Sequence, residues 1–515
     1  MSNFIINEDN LQFSAELSND LMKLLADITG IEDFYGKECR INPSELFPYL
    51  DELRIKAENG EYCLFDLIMY LNEKFENNIQ IAKNMNENKK VSFNTLTNYF
   101  TIGSKIITKQ EFNCLGGGIV MDCKIEKSMD GQLYCRIQYS QISTNGKNAI
   151  LVSKEAYISF FKGAIDQSSL DTRKPNDDEI EMLTHRGMKF KNFIKGIFYK
   201  KYKGNMWKNT YFGPMLFLAE GRCMIDPQGY KKMNPNSSSN KIAKMNSLLD
   251  EQLFTCSPFI AGFSLSSKAW GYLFVDNITE IDFDTKAFDF LVMDNKIKNM
   301  VRSMIINSND TFNDIISGKS GGVAFLLQGA PGSGKTLLSE ASAEVLKKPL
   351  YSLAVGELGT EVQYLEQQLS KVLELCQSWS AILLIDEADI FMAKRTEHNI
   401  NHNAIVSVFL RLLERYQGIM FLTTNRITDI DEAFKSRISI TLPFEKPNEI
   451  TRFSIWKNLL IASNTELEEE DITKVSKYQI NGRQIKNAIR MAQCLAKDEN
   501  TKVQISHLET VLHYI

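Results

Sequence analysis

The chain has 515 residues, more than one hydrophobic core usually serves, so two to four domains are expected. Its hydrophobic share of 43%, with 31 Phe and 18 Tyr, suits folded cores and excludes an extended disordered chain. The net charge is −5, from 59 Lys and Arg against 64 Asp and Glu, which disfavours nucleic acid as the main ligand.

Nine cysteines stand singly between Cys39 and Cys494 with no CxxC pair, the pattern of reduced thiols in a cytosolic protein. The first ten residues hold no basic stretch leading into an apolar one. No uncharged apolar run nears the ~20 residues of a membrane span, so a soluble, cytoplasmic protein is expected.

Residues 1–90 read as a helical N-terminal region. Leu17, Leu21, Leu24, Leu25 and Ile28 recur at helical spacing, and further helical runs begin near Ser44 and Tyr62. The polar stretch 83–90 carries no apolar pattern and reads as a loop or linker. Residues 91–280 read as a β-rich α+β domain, expected to recognise a partner. Its β-type runs cover 101–112, 116–127, 132–143 and 148–158. They are separated by Gly116-Gly117-Gly118, Asp130-Gly131 and Asn145-Gly146. A helix is expected after Pro175, over 177–196, with Gly187 weakening its interior. The polar stretch 234–241 is a second breaker, and 317–322 reads as a flexible lead-in. From Val323 to Thr424 apolar strands alternate with helices, which predicts a parallel sheet with crossover helices in a core spanning 281–446. After Pro447 the chain turns helical to its end, so 447–515 forms a separate helical part.

Gly329-Ala330-Pro331-Gly332-Ser333-Gly334-Lys335-Thr336 fits GxxxxGK[ST] in full, after an apolar strand and before a helical run. Glycines there let backbone N–H groups turn toward phosphate oxygens, and the helix N-terminus adds positive partial charge. Lys335 is placed to reach the β- and γ-phosphates of ATP, and the Thr336 hydroxyl to ligate Mg²⁺. Fifty residues on, the strand Ala381–Ile385 ends in Asp386-Glu387. Adjacent carboxylates repel, and a cation relieves them. Asp386 is expected to hold Mg²⁺ through water, and Glu387 to polarise the attacking water. The strand Ile419–Thr424 ends at Asn425, where strand C-termini gather in such sheets, so Asn425 is a candidate to bond that water or the γ-phosphate. Arg437, in Asp431–Arg437, is the candidate arginine supplied by a neighbouring subunit. His398 and His402 stand four apart in an Asn-rich stretch that reads as a polar loop entering a helix.

These four motifs, in this order and spacing, resemble the AAA family of ring-forming ATPases. The resemblance implies an α/β P-loop NTPase core with a parallel sheet and a C-terminal helical lid, behind a β-rich domain and a helical N-terminal region. It carries nucleotide binding to Gly329–Thr336 with Leu337, metal to Thr336 and Asp386, and water activation to Glu387. Asn425 takes the sensor 1 role, Arg437 the finger acting in trans, and Arg483, within Asn481–Ile485, the sensor 2 role. The cofactors implied are ATP and Mg²⁺; the assembly implied is a ring, usually a hexamer, acting on a protein partner. Pieces such as HRGMKF and CSPFIAGFSLSSKAW are similar to an uncharacterised region that precedes the ATPase in a subgroup common in filamentous fungi. Two departures stand out. Gly356–Tyr364 has no aromatic–hydrophobic–glycine tripeptide, which speaks against peptide threading, and Tyr364 reads as a helix residue. Arg437 has no second arginine two or three residues before it. A slow ATP-dependent oligomeric switch or scaffold is the alternative reading; nucleic-acid remodelling is disfavoured by the charge.

Overall fold

The computed structural model describes residues 4–7, 10–46, 49–235, 241–245, 247–307, 322–359, 361–395, 400–426 and 430–515. The chain divides into two compact units, Met1–Thr279 and Glu280–Ile515. No described helix is long and apolar enough to cross a membrane.

In the first unit the expected leading helix forms over Ala15–Thr29, burying Leu21 and Leu25, and stops where Gly30 turns left-handed at φ 67°. Three short antiparallel strands, Ile5–Asn7, Asn10–Ser14 and Glu38–Ile41, accompany it. Runs of three to five residues are too short to show alternation in sequence, which is why the helical reading omits them. The stretch 83–90, expected as a loop, instead continues a helix from Phe65 to Glu87. Residues 65–87 contain neither Gly nor Pro, so nothing in the backbone forces an earlier stop. Helical geometry ends at Asn88, and Lys89 adopts φ 53°.

The β-type runs form a six-stranded antiparallel sheet. Its order is Thr172–Arg173, Lys105–Lys109, Leu115–Lys127, Leu133–Thr144, Ala149–Ser159 and Lys241–Met245. Gly131 (φ 80°) and Gly146 (φ 81°) supply the left-handed turns expected of Asp-Gly and Asn-Gly. Gly116–Gly118 differ from expectation. They lie inside the strand Leu115–Lys127, buried, because neighbouring groups take the space of a side chain. A Cβ on Gly117 would sit 2.2 Å from the Phe254 carbonyl oxygen. Gly117→Ala is therefore expected to cost about 1–3 kcal/mol by overpacking, read as a lower urea midpoint. An unchanged midpoint would mean that the backbone contact relaxes freely.

A second antiparallel sheet of seven strands runs from the edge strand Gly213–Leu218 through Asn205–Thr210, Ala269–Phe274 and Phe259–Ser264 to Ile278–Thr279 at the far edge. Ile142 and Ala149 of the six-stranded sheet share a core with Ile260 and Leu273 of this one. The helix after Pro175 spans Asp177–Lys191, started by an Asn176–Glu179 capping box. Gly187 lies within it, closely approached by the Leu253 backbone.

The second unit is built on strands buried on both faces, which read in sequence as continuous apolar runs. In chain order they are β1 (Val323–Gly329), β2 (Leu350–Ala354), β3 (Ile382–Asp386), β4 (Ile419–Thr424) and β5 (Ile440–Phe444). All pair in parallel, in the order β2-β3-β4-β1-β5. The crossovers are α1 (Lys335–Leu346), α2 (Val362–Ser378) and α3 (Ile400–Arg415). Phe325, Ile382, Leu384 and Phe421 pack with Leu338 and Ala341 of α1. Four helices follow: α4 (Glu449–Ala462), α5 (Glu469–Ser476), α6 (Gly482–Asp498) and α7 (Ile505–Leu512). They close their own core around Trp456, Ile485 and Leu508. Tyr364 lies in α2, as its spacing suggests, with its ring half exposed. His402 lies on α3; His398, residues 236–240 and residues 317–321 fall outside the described residues.

Candidate functional site

β1 is apolar because both of its faces are covered, and its last residue opens the turn into α1. The turn is tight: Gly332 and Gly334 adopt φ 75° and 100°, conformations that a side chain would strain. α1 begins at Lys335, so the first N–H groups of that helix lack intrahelical partners at the mouth of the turn. Thr336 is the second residue of α1, and Leu337 the third, 47% exposed. Pro331 is exposed at the tip of the turn.

The Lys335 ammonium is drawn under this turn. Its Nζ donates to the carbonyl oxygens of Gly329 (2.7 Å) and Ala330 (2.9 Å) and to Asn425 Oδ1 (3.0 Å). Only 7% of the residue is exposed. Burial pushes its pKa below the ordinary lysine value, while Asp386 and Asp389 partly oppose the shift. A buried ammonium held by neutral oxygens, with no carboxylate in bonding contact, is electrostatically suited to a polyanion. Ser333 Oγ donates to the Ala330 carbonyl at 2.8 Å and fixes the turn from within.

Asp386 ends β3, and Glu387 follows with φ 55°, left-handed for a residue that carries a side chain. Such a backbone costs on the order of 1 kcal/mol or more and persists where the surroundings dictate it. Here Thr423, at the end of β4, does so. Its hydroxyl accepts from the Glu387 N–H at 2.9 Å and donates to Asp386 Oδ1. The Ala388 N–H also bonds the Thr423 carbonyl, at 2.9 Å. One threonine thus holds both acids, leaving the Glu387 side chain exposed. Thr424 repeats the device one residue on, donating to Asp389 Oδ1 and accepting from the Arg426 N–H at 3.0 Å. Sequence reasoning named neither threonine. The signal was present: two hydroxyls, each 1% exposed, at the end of an apolar strand need partners.

The helical part reaches the same turn. Asn481 caps α6 by accepting from the Gln484 N–H, and the Gly482 N–H donates to the Gly332 carbonyl at 3.2 Å. A Cβ on Gly332 would meet the Asn481 side chain at 2.7 Å, so the two parts are closely fitted. Arg483, next along, is exposed. The structure therefore gathers Lys335, Asn425, Asp386 and Glu387 at the C-terminal edge of one sheet, with Arg483 beside the turn. Arg437 is not among them. Its guanidinium donates to the Ala433 carbonyl (2.9 Å) and pairs with Glu414 on α3 (3.3 Å), and its Nε is buried without a partner. Arg411, on the same helix, pairs with Glu366.

Oxygen donors suit the groups expected here. The Thr336 hydroxyl and Asp386 carboxylate are hard ligands of the kind Mg²⁺ accepts, few in number and completed by water and phosphate. Residues 325–446 match the family described as ATPase family associated with various cellular activities. The chain carries an AAA domain. Ahead of it, residues 81–173 match a domain of unknown function, DUF7025. Spastin from Xenopus tropicalis is 28% identical over 165 residues, covering 30% of this chain and 27% of that protein. Human spastin is 27% identical over 165 residues, covering 30% and 26%. A 26S proteasome regulatory subunit homolog from Methanothermobacter marburgensis is 25% identical over 200 residues, covering 36% and 53%. The chain thus spans about a quarter of the spastins and half of the archaeal relative. A chain of the solved E. coli MS115-1 HORMA:CdnC:Trip13 complex aligns at 18% identity and TM-score 0.37, covering 46% of this chain and 93% of that one. The AAA domain holds the whole described cluster from Lys335 to Asn425, whereas Arg483 lies beyond the matched residues.

Proposed function

We propose that this protein hydrolyses ATP to ADP and phosphate with Mg²⁺, works as a cytoplasmic oligomeric ring, hexameric by the usual AAA arrangement, and uses turnover to remodel a protein partner bound by residues upstream of the AAA domain. The observation that carries this reading is the convergence of Lys335, Asn425 and the threonine-held Asp386–Glu387 pair at one sheet edge. The match of residues 81–173 to DUF7025, ahead of the AAA domain, is consistent with a separate upstream region of this kind.

Each residue has a separate task. Backbone N–H groups from Gly329 to Leu337 cradle the phosphates, and Lys335 exchanges its carbonyl contacts for β- and γ-phosphate oxygens. Thr336 and Asp386 would hold Mg²⁺, which would supply charge neutralisation to the phosphates. Glu387 polarises the attacking water and accepts its proton as the bond to the γ-phosphorus forms and the bond to the leaving ADP oxygen breaks. Asn425 orients that water. Arg437 stabilises the transferring group from the neighbouring subunit, and Arg483 steadies phosphate within its own.

Glu387→Gln tests the assignment. The amide occupies the same space but is a poor proton acceptor. ATP affinity is expected to stay within about threefold, while single-turnover hydrolysis falls by about 10²-fold or more. Near-normal chemistry would assign water activation to another group. A second reading, a slow switch that ATP locks into an oligomer, is favoured by one observation. The stretch Gly356–Tyr364 offers no aromatic pore residue, since Tyr364 belongs to α2. Turnover that stays slow when partners are added would select it.

A further inference from the structure

The first unit contains a cavity of about 960 Å³, lined from both antiparallel sheets and well away in sequence from the P-loop. That is the upper range of small-ligand pockets. Part of its lining is aromatic. Trp207 stacks on Tyr272 with ring centroids 4.5 Å apart, and Tyr230 packs on Tyr272 at 5.0 Å. The rest is polar and already partly wired. Lys154 Nζ donates to Gln110 Oε1 at 3.0 Å, Gln110 Nε2 donates to Tyr139 Oη at 3.4 Å, and Gln141 Nε2 donates to the Gly117 carbonyl at 3.0 Å.

Two acceptors are left over. Glu111 Oε2 and Gln141 Oε1 are buried with no donor, and the Trp207 N–H is buried with no acceptor. The Gln141 amide cannot be turned over to correct this, because its nitrogen is committed to a carbonyl. Lys154 is near enough to act electrostatically on Glu111, but its ammonium donates to Gln110 and Glu111 Oε2 keeps no donor. Glu111 is presented by a turn in which Phe112 and Asn113 both adopt left-handed backbone, φ 57° and 59°. For a bulky aromatic residue that is a real departure from the allowed regions, and strain of this kind gathers where a side chain must be aimed. The same turn brings the Phe112 ring to 6.3 Å from Trp207.

We propose that this cavity binds a cationic hydrogen-bond donor, an ammonium or guanidinium group, seated between the Glu111 carboxylate and the Trp207–Tyr272 face. The carboxylate supplies charge and an acceptor. The ring faces supply the quadrupole attraction that cations find on aromatic surfaces. The chemistry is shared by a basic side chain on a protein partner and by a free amine.

Calorimetry on the full chain at physiological salt separates the sources, with hexalysine peptide, its fully acetylated form and spermidine as probes. Binding of hexalysine without spermidine supports a protein-borne side chain, and binding of spermidine without hexalysine supports a free amine. Glu111→Gln is expected to weaken whichever binds by about tenfold or more, the loss of one charge-assisted hydrogen bond. Failure of both amines to bind, equal binding of the acetylated peptide, or unaltered affinity in Glu111→Gln would each overturn the proposal. Should that variant not fold, carbodiimide labelling of Glu111 in the unmutated protein decides. Amide formation between the activated Glu111 carboxylate and the bound amine, with loss of the urea, supports the site, and absence of that amide at saturating amine removes it.

Discussion

Lys335→Ala is expected to weaken Mg²⁺–ATP binding by about 30- to 5000-fold, corresponding to 2–5 kcal/mol for removing one partner of a buried charge pair. The size of the effect follows from where the ammonium sits. It is 7% exposed, with oxygens of Gly329, Ala330 and Asn425 around it, so water cannot replace the charge it brings to the phosphates. Alanine removes that charge and its bonds to the Gly329 and Ala330 carbonyls, while the glycine conformations at Gly332 and Gly334 and the Ser333–Ala330 bond do not involve the side chain. Calorimetry with ATP and Mg²⁺, alongside a thermal melt, measures both. An affinity within threefold of the unmutated protein would remove the phosphate-binding assignment.

Arg437→Ala is expected to lower turnover by about 10³-fold or more with nucleotide affinity nearly unchanged. Arg437 rests on Ala433 and on Glu414, whose side chain is 64% exposed. A pair this exposed is worth about 0–1 kcal/mol, too little to compete with a phosphate offered by a neighbouring subunit. Three results should accompany the loss. Specific activity of the unmutated protein rises with concentration as subunits assemble. The defect persists at concentrations where sedimentation shows complete assembly. Mixing Arg437→Ala with Lys335→Ala subunits restores part of the activity, because an intact turn then faces an intact arginine. A protein that sediments as a monomer, with concentration-independent turnover that Arg437→Ala leaves alone, would end the idea of a finger supplied in trans.

The core of the second unit was readable for a specific reason. Strands buried on both faces appear as unbroken apolar runs, and the residues at their C-terminal ends are then the ones that share the crevice. Asp386-Glu387 and Asn425 were named as candidates by that rule, and Gly329–Thr336 by its GxxxxGK[ST] pattern. What escaped was whatever depends on contact between distant segments. The Thr423 hydroxyl bridges Asp386 and the Glu387 N–H across 37 positions of sequence, and nothing local to Thr423 announces it. Gly116–Gly118 were read as a separator between β-type runs, because a glycine needed for close approach and one that breaks a strand look alike in sequence. The cavity around Glu111 escaped for the same reason, since its members come from both sheets.

The bond between the Gly482 N–H and the Gly332 carbonyl turns α6 into a lever with its fulcrum on the phosphate-binding turn. The helix has 17 residues and is therefore about 25 Å long. A tilt of about 10° at the fulcrum moves its far end by about 4 Å, enough to make or break side-chain contacts there. The capping box at Asn481 and Gln484 keeps the first turn rigid, so the tilt is transmitted along the helix instead of being absorbed by fraying. Small adjustments at Gly332 would thus be carried toward Asp498 at the far end of α6, together with the helices that share its core.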